Sequence, residues 1–153
     1  MKVTLIAKME QEDERLCSYT WVVEGVSRSC IDQVVRHRLG SFSVRSQRYV
    51  SHDDLRVVVP PKISGEVKGM HHFEESVRCA AGAYRKLLQE GMRKEDARFV
   101  LPMACETKVV LSFTGAGLRH FFDQRIQKAA QWEVRALATM MQESINGDDS
   151  ESD

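Results

Sequence analysis

Arg36-His37-Arg38-Leu39-Gly40-Ser41-Phe42-Ser43-Val44-Arg45-Ser46-Gln47-Arg48-Tyr49 is the stretch around which the rest of the chain is read. Four arginines, one histidine and three serines fall within these fourteen residues, with no carboxylate among them. Such a run repels itself unless water or an anion screens it. Guanidinium forks and serine hydroxyls are donors suited to phosphate oxygens. The plainer alternative is a solvated basic turn at a helix end, where arginines also favour the negative pole of the helix dipole. Composition alone leaves both open, and the order of the residues decides between them.

Immediately upstream, Ser27 is placed to cap a helix running through Cys30, Ile31, Val34 and Val35 to the Arg-His-Arg, so the stretch begins at a helix C-terminus and leaves as a loop. Further back, residues 2–8 alternate as a strand, and residues 10–15 form a charged connector or short helical turn. Residues 18–24 are rich in aromatic and β-branched side chains, a second strand that Gly25 ends. Downstream, residues 55–59 suggest a short strand stopped by Pro60-Pro61. Between residues 66 and 90, Met70, Phe73, Val77, Ala80, Ala81, Tyr84, Leu87 and Leu88 recur at helical spacing, and Gly91 closes the run. A short helix over 94–100 precedes Pro102. Residues 107–114 read as a buried strand broken by Gly115 and Gly117, and helices follow over 118–125 and 129–145.

A length of 153 residues suits one domain, taken as 1–145, followed by a disordered acidic tail over 146–153. The formal net charge is zero, but five acids lie among the last eleven residues, which leaves 22 basic against 17 acidic groups before them. That imbalance is too weak to imply nucleic acid. Cys17, Cys30, Cys79 and Cys105 form no CxxC pair, which speaks against a metal site or a disulfide framework and for a reducing, cytoplasmic setting. The opening residues 1–7 are too short for a signal peptide, and no apolar run approaches the ~20 residues of a membrane span. His71 and His72 are adjacent and diverge on a helix, so joint metal binding is not expected.

Arginines recur at two further element ends. Arg98 sits among Ala97, Phe99 and Val100, and Arg125 lies between Phe122 and Ile126. An unpaired charge in such surroundings is costly to bury. Either residue could instead be a core-edge ion pair with Glu95, Asp123 or Glu133. No nucleophile elbow, Ser-His-Asp order or activated cysteine is visible. The residues thus describe an anion pocket whose reactive chemistry would come from a cofactor.

Arg36-His37-Arg38, seven residues and then Ser46 match the signature of the flavin-dependent thymidylate synthases, the ThyX family. Tyr19-Thr20-Trp21-Val22-Val23-Glu24-Gly25-Val26-Ser27-Arg28 resembles the family's strand and helix start, with Gln33 before the motif and Gln47-Arg48-Tyr49 after it. Ala97-Arg98-Phe99-Val100-Leu101-Pro102, His120-Phe121-Phe122-Asp123-Gln124-Arg125 and Ala130-Gln131-Trp132-Glu133-Val134-Arg135 resemble its later blocks. The likeness covers roughly residues 18–140.

That resemblance implies an α/β (α+β) fold with a small, mostly antiparallel central sheet flanked by helices, assembled as a homotetramer with sites shared between subunits. It implies C5 methylation of dUMP to dTMP, with FAD as cofactor and NADPH and methylene-tetrahydrofolate as co-substrates. By the same resemblance, Gln33, Arg36, Arg45, Ser46, Gln47, Arg48, Arg98 and Arg125 would hold dUMP. Arg36, His37, Arg38 and His120 would face FAD. Arg125 would be the catalytic arginine, stabilising charge on the uracil ring. Nucleic acid, membrane and metal are not implied.

The chain departs from the family pattern in the segment before the second strand, where only residues 10–17 stand for a longer flavin-contacting region. It departs again at Val44, at the short stretch between Pro61 and Glu66, and at Thr114-Gly115-Ala116, which replaces an Asn-x-Arg. The nucleotide half is intact and the flavin half thinned. Two rivals follow: a methylase of UMP or dUMP in a specialised pathway, and a non-catalytic nucleotide-binding relative.

Overall fold

Four segments rich in β-branched and aromatic residues pair into one sheet in a computed structural model that describes residues 1–47 and 55–148. They are β1 (Lys2–Met9), β2 (Ser18–Ser27), β3 (Gly40–Val44) and β4 (Glu106–Thr114), in the order β1-β2-β4-β3. The outer strands pair antiparallel, β1 with β2 and β3 with β4. Six helices complete a mixed α/β fold in the described chain: α1 (Arg28–Val34), α2 (Pro61–Ser64), α3 (Val67–Gln89), α4 (Lys94–Ala97), α5 (Gly115–Arg125) and α6 (Trp132–Asp148). The expected fold class is therefore observed. The chain divides into two compact units, one of Met1–Val44 with the chain from Thr107 onward, the other of Arg45–Glu106.

In the first unit, period-two patterning sets which face of the sheet is covered. Thr107, Val109, Leu111 and Phe113 of β4 are buried on alternate positions, beside Trp21 and Val23 of β2. Helices α1, α5 and α6 supply Ile31, Val34, Leu118, Phe121, Leu137 and Met141 to the same cluster. Each such large side chain contributes about 1.5–3 kcal/mol when fully buried. Polar links lock these layers in register. Trp21 Nε1 donates to Ser144 Oγ of α6 at 2.9 Å, and the Thr20 and Ser112 hydroxyls bond across β2 and β4 at 2.8 Å.

Ser27 caps α1 as the sequence predicts, its Oγ accepting from Cys30 N at 3.0 Å. The buried carboxylate of Glu133 holds that cap from α6, accepting from Ser27 N at 2.7 Å and Ser27 Oγ at 2.5 Å. Gln131 Oε1 in turn accepts from Glu133 N and Val134 N at 2.9 and 3.1 Å, satisfying the first turn of α6.

Several boundaries differ from the sequence reading. Gly25 takes a φ of +72° without ending β2, which continues to Ser27. The stretch after Leu39 does not leave as a loop, because Gly40–Val44 pairs with β4 from Gly40↔Phe113 to Val44↔Val109. Helix α5 starts at Gly115 rather than 118, since Thr114 Oγ1 accepts from Gly117 N at 3.2 Å and caps it there. A side chain is barred at Gly115: a Cβ there would lie 1.8 Å from the Glu14 carbonyl oxygen. Gly115 N also donates to Cys17 O at 2.7 Å, which seats the short 3₁₀ turn Glu14–Leu16 against α5. Helix α6 runs on to Asp148, beyond the expected end at 145.

The second unit is helical. α3 forms where its apolar spacing predicts, and Gly91, at φ +84°, follows it with its N–H bonded to Leu88 O at 3.0 Å. The predicted 94–100 helix is α4 followed by a 3₁₀ turn, Arg98–Val100. Residues 55–59 do not make a strand. Val57 forms an isolated bridge to Cys105, and Pro60-Pro61 offers no N–H to extend it. Among the described residues, no helix is long and apolar enough to cross a membrane, and no cluster of His, Cys, Asp and Glu could hold a metal ion.

Candidate functional site

The turn after α1 builds the site. His37 N donates to Val34 O at 3.1 Å and Gly40 N to His37 O at 3.0 Å, so the backbone folds back at the helix end and enters β3. This turns the His37 ring inward, where the residue is 6% exposed. The ring meets Phe121 of α5 edge-on, with centroids 4.9 Å apart and planes at 81°. His120 stands 6.0 Å away in a similar edge arrangement.

Arg125, the last residue of α5, completes the group. Its Nε donates to His37 Nε2 at 2.8 Å, and one terminal nitrogen donates to the Gln33 carbonyl at 3.4 Å. A guanidinium keeps its protons, so His37 Nε2 must be the acceptor and the ring is the neutral Nδ1–H tautomer. Burial, then the Arg125 charge, then His120 hold the His37 pKa below the usual imidazole value. A group whose folded pKa is depressed contributes stability above its unfolded value, about pH 6.5, and loses it as pH falls through the folded one.

Arg36, His37, Arg38, Leu39, His120, Gln124 and Arg125 line a cleft of about 290 Å³. Among the described residues no carboxylate lines it. A neighbouring hollow of about 460 Å³ shares Arg36 and Arg38 and adds Asp32 and Val35. Such a donor set, with three guanidiniums, suits an anionic, planar ligand. A third hollow, about 480 Å³, lies beside Gly115 and is lined by Glu10, Gln11, Glu14, Cys17, Tyr19, Leu118, Arg119 and Phe122. Arg119 and Glu14 make an exposed ion pair of 3.0 Å there.

The four residues expected to face FAD, Arg36, His37, Arg38 and His120, thus share one cleft, and the expected catalytic Arg125 shares it too. Gln33 joins through its backbone carbonyl. Arg45, Ser46, Gln47 and Arg98 belong to the second unit, and Arg48 lies outside the described residues. Arg98 is half-buried, its Nε donating to Glu95 O at 3.1 Å and its guanidinium 5.9 Å from the centroid of the exposed Phe99 ring. The ion pair offered for Arg125 takes a different form. Its side-chain partner is His37, while Glu133 is engaged by Ser27. The sequence reading passed over Leu39 and Gln124 as lining residues. Gln124 stands directly before Arg125, which was the available signal.

The family model described as thymidylate synthase complementing protein matches residues 12–147. A flavin-dependent thymidylate synthase of Geobacter sulfurreducens is 45% identical over 132 residues, covering 85% of this chain and 57% of that protein. One from Nitratidesulfovibrio vulgaris is 42% identical over 132 residues, covering 81% and 54%, and one from Clostridium tetani 39% over 140 residues, covering 81% and 56%. The chain therefore spans about half the length of the curated relatives it matches.

Proposed function

Because the chain belongs to the thymidylate synthase complementing protein family, we propose that it is a flavin-dependent methyltransferase that converts dUMP to dTMP. Methylene-tetrahydrofolate would give the carbon and NADPH the reducing equivalents, in a homotetramer. The observation that carries the reading is the cleft, lined among the described residues by three arginines and no carboxylate, in which Arg125 is held at its inner nitrogen by His37.

Arg125 would bind the uracil ring and oppose the negative charge that develops on it, as a donor fixed in place by His37. Arg36 would hold the nucleotide beside it. Arg45, Ser46, Gln47, Arg48 and Arg98 are further proposed nucleotide residues, each open to test by single substitution. The donor chemistry of the cleft fits FAD, whose pyrophosphate is an anion and whose ring system is planar. Arg36, His37, Arg38 and His120 would hold it. Bound FAD would supply the hydride, which agrees with cysteines that lack an activating setting. Burial, and after it the Glu133 charge, push the Cys30 thiol far above the usual range.

A second reading, a nucleotide-binding relative that holds no flavin, draws on one observation. At Thr114-Gly115-Ala116, where the family pattern has a flavin-contacting Asn-x-Arg, the chain's own Glu14 and Cys17 backbone packs onto the start of α5. The deciding experiment is oxidation of reduced, purified protein by dUMP with methylene-tetrahydrofolate. Flavin absorbance that returns with equivalent dTMP supports the proposal. A colourless protein that still binds dUMP supports the second reading. Parallel assays with UMP distinguish the substrates, and light scattering showing a stable monomer would remove the tetramer.

A further inference from the structure

We propose that His37 is the positioning residue of Arg125, holding the guanidinium by its inner nitrogen and leaving the rest of the fork to the cleft. This rests on reading Arg125 as the arginine that opposes charge on the substrate ring. The Nε–H of arginine is a permanent donor, and His37 Nε2 accepts from it at 2.8 Å. The nitrogen turned to Arg125 is thereby withdrawn from any ligand, so His37 acts on the reaction through Arg125 and not by touching substrate at Nε2.

His37 is itself immobilised. Its backbone N–H and carbonyl are both bonded within the turn, and its ring lies edge-on to Phe121. The long arginine side chain, at the end of a helix, borrows that rigidity. A neutral imidazole can accept at Nε2, whereas an imidazolium can only donate. Acid therefore converts the anchor into a second donor facing the first. Among the described residues the cleft around His37 holds no carboxylate: Arg125 and His120 face it from α5, Arg36 and Arg38 flank it on its own turn, and Asp32 lines the neighbouring hollow. The Glu133 carboxylate of α6 is engaged by Ser27. Protonation thus frees Arg125, so an acid loss of turnover should belong to this pair.

The test needs no cofactor at its first step. In ¹H–¹⁵N spectra of the full chain, the Arg125 Nε–H signal is identified by its absence in Arg125→Lys. The expected wild-type shift is displaced from those of exposed arginines at neutral pH, and moves toward them on acidification below about pH 6.5. His37→Gln, whose side-chain carbonyl can still accept, should keep a displaced signal through the acid range. His37→Phe, which retains the ring packing without the acceptor, should lose it at every pH. In turnover with dUMP, expressed per bound flavin because His37 is also proposed to face FAD, His37→Phe should lower kcat about 10²-fold, the scale of a misplaced catalytic group, with KM little changed. His37→Gln should restore most of that loss and remove the acid limb owed to His37. A wild-type signal insensitive to acid, or unchanged turnover in His37→Phe, overturns the proposal. If no form of the protein turns over dUMP, the functional reading fails, while the spectra still decide the anchor.

Discussion

The two compact units hold their polar side chains by different means. The unit built on the sheet, besides local pairs such as Arg15 with Asp13, joins partners distant in sequence: Ser27 and Glu133, His37 and Arg125, Thr20 and Ser112, Trp21 and Ser144. In the helical unit, Arg93 and Arg98 both find Glu95, two and three residues away. Apolar burial divides in the same way. The main buried cluster lies wholly in the first unit, whereas the fully buried apolar residues described in the second are Tyr84, Ala97 and Cys105. Long-range contacts exist only when a whole unit is folded, so the placement of Arg125 is cooperative and that of Arg98 is local. A site that must oppose charge at one atom needs the first kind of support. An anion grip on a flexible phosphate can work with the second.

The largest effect tests this contrast at its two arginines. Arg125→Lys keeps the charge but loses the planar fork, and turnover should fall roughly 10²–10³-fold with flavin content unchanged. Arg98→Lys should cost less than about tenfold, mainly in dUMP affinity. Equal losses in the two variants, or recovery of Arg125→Lys by saturating dUMP, would erase the distinction. Packing provides the next test. Gly115→Ala forces a methyl against the Glu14 carbonyl and should lower stability by about 1–3 kcal/mol in urea unfolding. A smaller effect of opposite sign is expected in the helical unit, where a Cβ at Gly82 of α3 meets nothing within 4 Å. Gly82→Ala should raise stability by about 0.4–1 kcal/mol, and a loss there would show that α3 is more tightly enclosed than its exposure indicates.

What could be read from the chain followed the strength of local signals. Ser27 before an apolar-periodic run announced α1, and the spacing from Met70 to Leu88 announced α3. The family blocks announced the cleft residues Arg36, His37, Arg38, His120 and Arg125. β3 was missed because Ser41 and Ser43 read as anion donors, although with Phe42 and Val44 they alternate as an edge strand does. The pairing that settles the matter comes from β4, far along the chain. Residues 55–59 erred in the opposite sense, with strand-like composition but no ladder beyond one bridge. Glu133, one of the three partners offered for Arg98 or Arg125, is engaged elsewhere for a related reason. A buried carboxylate takes the nearest desolvated donors, and the Ser27 backbone and hydroxyl are brought to it by the tertiary fold.

The bond from Trp21 to Ser144 also makes the protein its own optical probe. Trp21 is fully enclosed, and its indole N–H is spent on a hydroxyl of α6. An indole shielded from water emits at shorter wavelength than a hydrated one. Lifting α6 from the sheet would wet that ring and shift its emission to the red, whether or not β2 remained paired. The chain has two tryptophans, and the second, Trp132, opens α6 itself. Replacing Trp132 by phenylalanine would leave a single tryptophan that reports, in real time, whether the helix carrying Glu133 is docked.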